Sequence, residues 1–265
     1  MKPLVSIITP VFNLEKEIVW TIESVLKQTM PDFEMIIVDD ISTDKTKEVV
    51  KNYAKLDRRI KYYCLKEKSG ASGARNYALS KCHGRYIAFL DGDDLWYPSK
   101  LEKQINFMKS KDIAFSYTDY EYIDDNNERM NIVRVCPNKV SYFRMLLGDS
   151  IGCLTVMYDT KKVGKINIPP IEKRNDYALW CCILKKVRYA YKLNEVLSLY
   201  RKSSLSLSSG PKAHLLKYHY QMHREINGFN PVTSFFFTGT NGVNYVINKK
   251  IREKKINDKK EKVGV

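Results

Sequence analysis

Through the first half of the chain, short and uniformly apolar runs alternate with runs of helical period. Residues 5–9 read as a buried strand. Residues 14–28 place Ile18, Ile22, Val25 and Leu26 on one helical face, with Asn13 as a cap and Glu15 and Glu17 in the first turn. A second strand is expected at 34–39, followed by a helix at 44–56 capped by Ser42 or Thr43, with Val49, Val50 and Tyr53 inward. The alternation continues with a strand at 60–65, a helix at 73–82, a strand at 85–90 and a helix at 98–108 opened by Pro98.

This order predicts an α/β fold: a mostly parallel sheet with helices on both faces. Ligands of such sheets bind beyond the carboxyl ends of the strands. Polar clusters stand at three such ends, at 9–13, 39–40 and 91–94.

Past residue 113 the pattern loosens. Strands are expected at 113–120, 153–158 and 196–200 and a helix at 176–186, and 201–210 (RKSSLSLSSG) reads as a loop. From Lys212 the chain turns aromatic and basic, which divides it into a domain at 1–210 and an extension at 211–265. The extension carries Tyr218, Tyr220, Phe229, Phe235, Phe236, Phe237 and Tyr245, and residues 249–262 hold eight Lys/Arg against three Asp/Glu. Aromatic rings beside lysines suit a membrane–water interface with anionic headgroups, or else a contact with a second subunit. The uncharged run 226–248 contains five asparagines and Pro231, costly in hydrocarbon, so it is expected to lie in an interface and not to cross one.

Composition narrows this further. With 265 residues, 44% hydrophobic and 28% charged, the chain is globular, and its formal net charge of +15 points to polyanionic partners. The six cysteines form no C-x-x-C pair and read as reduced core thiols, as expected of a cytoplasmic protein. The apolar start is too short for a signal peptide and runs directly into the first strand pattern.

The sharpest chemical feature is Asp91-Gly92-Asp93-Asp94 at a strand end. Clustered carboxylates repel one another; hard oxygens so placed suit Mg²⁺ or Mn²⁺ bridging to a diphosphate, or else a solvated acidic turn. Asp39 and Asp40 close another strand, where a carboxylate could accept a hydrogen bond from a base N–H.

The set TPVFN (9–13), VDDISTD (38–44), SGASGARN (69–76), YIAFLDGDD (86–94), NDYALW (175–180) and LYRKSSLSLS (199–208) resembles glycosyltransferase family 2, in order and over roughly residues 3–208. The resemblance implies a GT-A fold and inverting transfer from a UDP-sugar. It implies that Thr9, Pro10, Phe12 and Asn13 line the nucleotide pocket and that Asp40, supported by Asp39, accepts the uracil N3–H. Arg75 would sit near the base or diphosphate, Asp91 by the ribose, Gly92 among the nucleotide-sugar-binding residues, and Asp93 with Asp91 on a Mn²⁺ or Mg²⁺ ion. Asp176 aligns with the catalytic base, Trp180 packs under the acceptor site, and Arg201, Ser206 and Ser208 belong to a loop closing on the diphosphate. The family places an acid before the base, whereas this chain has Asn175, leaving Asp176 as the motif's one carboxylate and Glu172 as a fallback.

The resemblance also implies an acceptor saccharide carried on undecaprenyl diphosphate, as in teichuronic acid, capsule or lipopolysaccharide synthesis at the inner face of the plasma membrane. Two rival readings make different demands on the sequence. A nucleic-acid-binding module would show stacking-aromatic motifs on a four-stranded sheet, and none is found, so nucleic acid is not an expected partner. A nucleotidyltransferase needs a glycine-rich loop after the first strand, which TPVFNLEKE does not supply. His219 and His223, four apart, are expected to be surface or interface residues, and Trp20 and Trp96 to serve packing.

Overall fold

The computed structural model describes residues 2–202 and 212–256, without the side chains of 212–214 and 245–251. Strands β1 (Val5–Val11), β2 (Phe33–Asp39) and β3 (Ile60–Cys64) pair in parallel, and β4 (Tyr86–Phe89) joins β1 in parallel on its other side. The crossovers are helices α1 (Glu17–Leu26), α2 (Thr46–Leu56) and α3 (Gly70–Lys81). Period-2 alternation sorts the strand residues. Ile8, Ile36, Val38, Ile87 and Phe89 enter one core with Ala74, Ala78 and Leu79 of α3. Val5, Ile7, Met35, Ile37 and Ala88 enter the other, against Ile18 and Ile22 of α1 and Val50 of α2. Buried on both faces, these strands are the near-continuous apolar runs seen in the sequence.

After β4 come the short β5 (Leu95–Trp96) and α4 (Lys100–Ser110), which covers the second core. The sheet then becomes mixed. Strand β6 (Phe115–Ile123) pairs antiparallel with β7 (Arg129–Arg134). Strand β8 (Lys139–Val140), helix α5 (Tyr142–Leu147) and a 3₁₀ turn at Cys153–Thr155 lead to β9 (Met157–Asp159), antiparallel to both β4 and β6. After α6 (Thr160–Val163) and α7 (Asn175–Leu184), the long β10 (Ala190–Arg201) runs parallel to β6 and antiparallel to β5 and β8.

The C-terminal segment comprises α8 (Lys212–Gln221), a π-helical turn at Met222–Ile226, α9 (Pro231–Arg252) and β11 (Glu253–Lys255). Asn230 caps α9 by accepting from the Thr233 N–H at 2.9 Å, and Pro231 opens it. Strand β11 extends the sheet by pairing antiparallel with β7, and Tyr218, Met222 and Phe237 enter the α3-side core. The expected boundary at residue 210 therefore does not separate two cores.

Other expectations are corrected. Asn13 does not cap α1: it is left-handed (φ 52°) and bonds to the loop after β2. Pro98 lies ahead of α4, not in its first turn. The expected strand at 153–158 is a 3₁₀ turn followed by β9, and residue 201 belongs to a strand and not to a loop. His219 and His223 are not at the surface: both are buried, His219 against the Tyr177 ring and His223 beside Phe237. Burial holds their imidazoles down at about 3 and about 4, hence neutral at physiological pH. The cysteines are free thiols, but Cys64 is exposed and not in a core.

Candidate active site

The ends of β1 and β2 are laced together by the residues that follow them. The Asn13 N–H donates to Ser42 Oγ at 2.9 Å, and Thr43 N–H donates back to Asn13 Oδ1 at 2.8 Å. Glu15 N–H donates to Asp44 Oδ2 at 3.0 Å, and Lys45 N–H returns to Glu15 Oε2 at 2.9 Å. The expected capping role of Ser42 and Thr43 is thus replaced by bonds between loops. Just before them Ile41 is held left-handed (φ 66°), a conformation that strains a β-branched residue. Phe12 projects from this rim with Lys68 Nζ 4.0 Å from its ring centre. Thr9 and Pro10 lie deeper, in β1, and Thr9 is fully buried.

Asp39 and Asp40 are both buried and do different work. Asp39 accepts from Ser42 N–H at 2.7 Å and from the Tyr62 hydroxyl at 2.8 Å, fixing the turn. Asp40 accepts from Ser69 N–H at 2.7 Å and Gly70 N–H at 2.9 Å, so it anchors the start of α3. Each Asp40 oxygen keeps a lone pair for a further donor. Gly70 takes φ 65° at this turn, which favours glycine.

The acidic loop packs under the same rim. A Cβ on Gly92 would stand 2.6 Å from Val11 Cγ1, so only glycine lets the loop approach β1 this closely. Burial, and then the charge of Asp91, pushes Asp93 up to about 6. Asp94 is raised by burial and by Asp93, and its Oδ1 accepts from Arg201 N–H at 2.9 Å. A cation at Asp91 and Asp93 would relieve this crowding of carboxylates, which Arg75 beside Asp91 and Arg201 beside Asp93 already offset in part. Among the described residues no three His, Cys, Asp or Glu side chains close around a common point. A metal here would take its remaining ligands from phosphate and water, as Mg²⁺-type sites do.

Arg201 is a brace under this loop. Its guanidinium donates to Asp93 O at 2.8 Å, to Asp124 O at 2.7 Å and to Asn127 Oδ1, and it lies 5.1 Å from the Trp20 ring centre. The expected loop role is therefore corrected: Arg201 is buried, with each guanidinium nitrogen engaged. Ser206 and Ser208 lie outside the described residues.

Across the cleft, Arg75 joins the acidic loop to α7. One Nη pairs with Asp91 and the other donates to Asn175 Oδ1 at 2.7 Å. Asn175 thus has a definite task that its uncharged amide performs. Asp176 follows, half-buried, and no hydrogen-bond donor among the described residues occupies its carboxylate. Trp180, one turn on, is fully buried edge-on to Phe89 at 5.4 Å, so it supports the floor and presents no surface to an acceptor. Glu172 accepts from the Tyr218 hydroxyl at 2.7 Å.

Asp149, in the loop after α5, escaped the sequence reading. Burial, then the neighbouring Asp176, pushes it up to about 7, and Arg174 opposes this from 3.9 Å. Arg174 is itself left-handed (φ 64°) at the start of α7. Nothing in the local sequence marks Asp149, because the loop that carries it meets α7 only through the tertiary fold.

Comparisons with known proteins identify the family and the fold. The model of the family Glycosyl transferase family 2 matches residues 6–158. TuaG of Bacillus subtilis (strain 168), a glycosyltransferase named for teichuronic acid biosynthesis, is 46% identical over 208 residues, 78% of this chain and 82% of that protein. WfgD of Escherichia coli, named UDP-Glc:alpha-D-GlcNAc-diphosphoundecaprenol beta-1,3-glucosyltransferase, is 42% identical over 207 residues, 78% of this chain and 80% of its own. Among solved structures, S. aureus TarS 1-349 in complex with UDP-GlcNAc superposes with a TM-score of 0.69 at 22% identity, covering 88% of this chain and 69% of that one. The mannosyltransferase PcManGT of Pyrobaculum calidifontis, in complex with GDP-Man and Mn2+, gives 0.61 at 15% identity, covering 91% and 70%. At these identities the structural matches establish the GT-A fold.

Proposed function

The chain belongs to glycosyl transferase family 2 and is a glycosyltransferase; from that premise we propose that it moves a hexose or N-acetylhexosamine from a UDP-sugar, with inversion, to a saccharide hydroxyl. The acceptor is carried on a lipid diphosphate of the undecaprenyl type, in bacterial surface polysaccharide synthesis. The enzyme works from the cytoplasm, at the inner face of the plasma membrane.

The observation that carries this reading is the bridge Asp91–Arg75–Asn175, which ties the acidic loop to the residue before Asp176. Donor and acceptor chemistry are thereby held on one rigid frame. On this reading the uridine lies along the laced rim of β1 and β2, near Phe12 and Asp40. Asp91 and Asp93 would hold Mn²⁺ or Mg²⁺, which would supply positive charge to a departing diphosphate. Asp176 takes the proton of the acceptor hydroxyl, which is a poor nucleophile until it loses it. Attack opposite the leaving diphosphate inverts the anomeric centre in one displacement. The names of TuaG and WfgD support the polysaccharide setting and the lipid diphosphate.

A donor panel with Mn²⁺ tests this without an acceptor. Slow hydrolysis of one among UDP-Glc, UDP-Gal, UDP-GlcNAc and UDP-GalNAc, abolished by EDTA, is expected. Preference for GDP-Man, or hydrolysis of none, contradicts the donor assignment.

A further inference from the structure

Helix α9 is apolar on the wrong side. Its inward face carries Ser234, Thr238 and Asn241, all buried and hydrogen-bonded: Thr238 Oγ1 donates to Ser234 O at 2.7 Å, and Asn241 Nδ2 to Leu146 O at 2.9 Å. Its outward face carries Val232, Phe235, Phe236 and Val243, exposed by 80, 75, 60 and 61%. With Gly239 these positions follow helical spacing and line one open groove of about 520 Å³. Phe143 of α5, also exposed, adjoins them through Phe237, whose ring centre lies 6.3 Å from that of Phe143 and 5.4 Å from that of Phe236. Other aromatics of the segment, Tyr218 and Phe229, pack inward. Single exposed hydrophobic residues are ordinary, but a continuous set on one helix face is not.

We propose that the outward face of α9, with Phe143, inserts into the headgroup–acyl boundary of an anionic lipid leaflet, the helix lying along the surface. This deepens the lipid-linked-acceptor reading and rests on it for the membrane's relevance. Two features select lipid over a second copy. The first is charge: residues 211–265 hold eleven Lys/Arg against four Asp/Glu, while 226–248 hold none of either. Anionic headgroups attract such a segment, whereas a symmetric dimer would bring two of them together. The second is area. A few phenylalanines and valines expose on the order of 500 Å², short of the roughly 800 Å² per partner that a stable protein interface needs. No helix of the described residues is long and apolar enough to cross a membrane, which leaves insertion by about 5–10 Å.

The test is flotation of the full chain with phosphatidylglycerol/phosphatidylcholine vesicles containing neither donor nor acceptor. Native protein is expected to float, and to be released only in part at about 1 M salt, because apolar insertion is not screened. Phe235→Ser/Phe236→Ser should cut the bound fraction at least tenfold, with unchanged melting temperature and UDP affinity. Native protein that stays unbound at low salt overturns the proposal. So does a variant that floats as well as native, or a native dimer that the variant dissolves. Since no sugar chemistry is read, failure of the donor panel and failure of lipid binding remain distinguishable.

Discussion

Arg75 and Asn175 stand a hundred residues apart in the chain and meet at 2.7 Å, guanidinium to side-chain oxygen, in a buried position. That bond, continued by the Arg75–Asp91 ion pair, sets the distance between the acidic loop and the start of α7. Asn175→Leu leaves a buried arginine arm without its acceptor. A loss of about 1–3 kcal/mol in stability is expected, with transfer reduced more than UDP affinity. Thermal melts and steady-state kinetics measure both; unchanged kcat would show that the bridge does not position Asp176.

Asp93→Ala should abolish metal-dependent UDP binding, and EDTA should do the same to the native protein, as read by calorimetry with Mn²⁺. Asp94→Asn should hurt less, because Asp94 faces the Arg201 backbone N–H. Full turnover in EDTA would remove the metal assignment.

Arg201→Lys keeps the charge and loses the fork. One ammonium cannot reach Asp93 O, Asp124 O and Asn127 Oδ1 together, so about 2–4 kcal/mol of stability should go. Metal-dependent UDP binding should weaken with it. An unchanged denaturation midpoint would show that the brace carries no load.

Asp149 supplies a pH dependence. Its folded value of about 7 is raised above an ordinary carboxyl, first by burial and then by Asp176. Its proton therefore favours the folded state: the stabilisation is complete below the unfolded value near 4 and is lost as pH rises through about 7. Asp149→Asn should accordingly stabilise the protein at pH 8 relative to native by on the order of 1–3 kcal/mol, and the gain should shrink as pH falls below about 7 and vanish only below about pH 4. Chemical denaturation at pH 5 and pH 8 measures both proteins; equal stabilities at pH 8 would contradict a buried, proton-retaining Asp149.

The parallel half of the sheet was legible because β1, β2 and β4 are buried on both faces, which writes them as apolar runs. Their polar ends then marked the cleft. The remainder depended on contacts between distant segments. Asn13 looked like a cap, and only the neighbouring loop after β2 shows it to be a tie. Arg201 followed a strand pattern and preceded serines, so its burial under Asp93 was invisible. The aromatic run of the C-terminal segment was legible as an interface, but which rings face out was not: Tyr218, Phe229 and Phe237 pack inward and Phe235 and Phe236 outward once the inward Ser234, Thr238 and Asn241 are placed. Asn175 was the exception: a departure from the family's acid became intelligible once Arg75 was found beside it.

The most direct test of the account is the transfer rate of Asp176→Asn at saturating UDP-sugar and Mn²⁺, on a lipid-diphosphate-linked saccharide, with UDP affinity measured on the same preparation. Asn175 and Arg75 keep their bond in this variant, so the donor frame is intact. Transfer should fall by roughly 10²–10⁴-fold, the usual loss of a general base, with affinity nearly unchanged. Transfer at the native rate would contradict the assignment of Asp176 as the base.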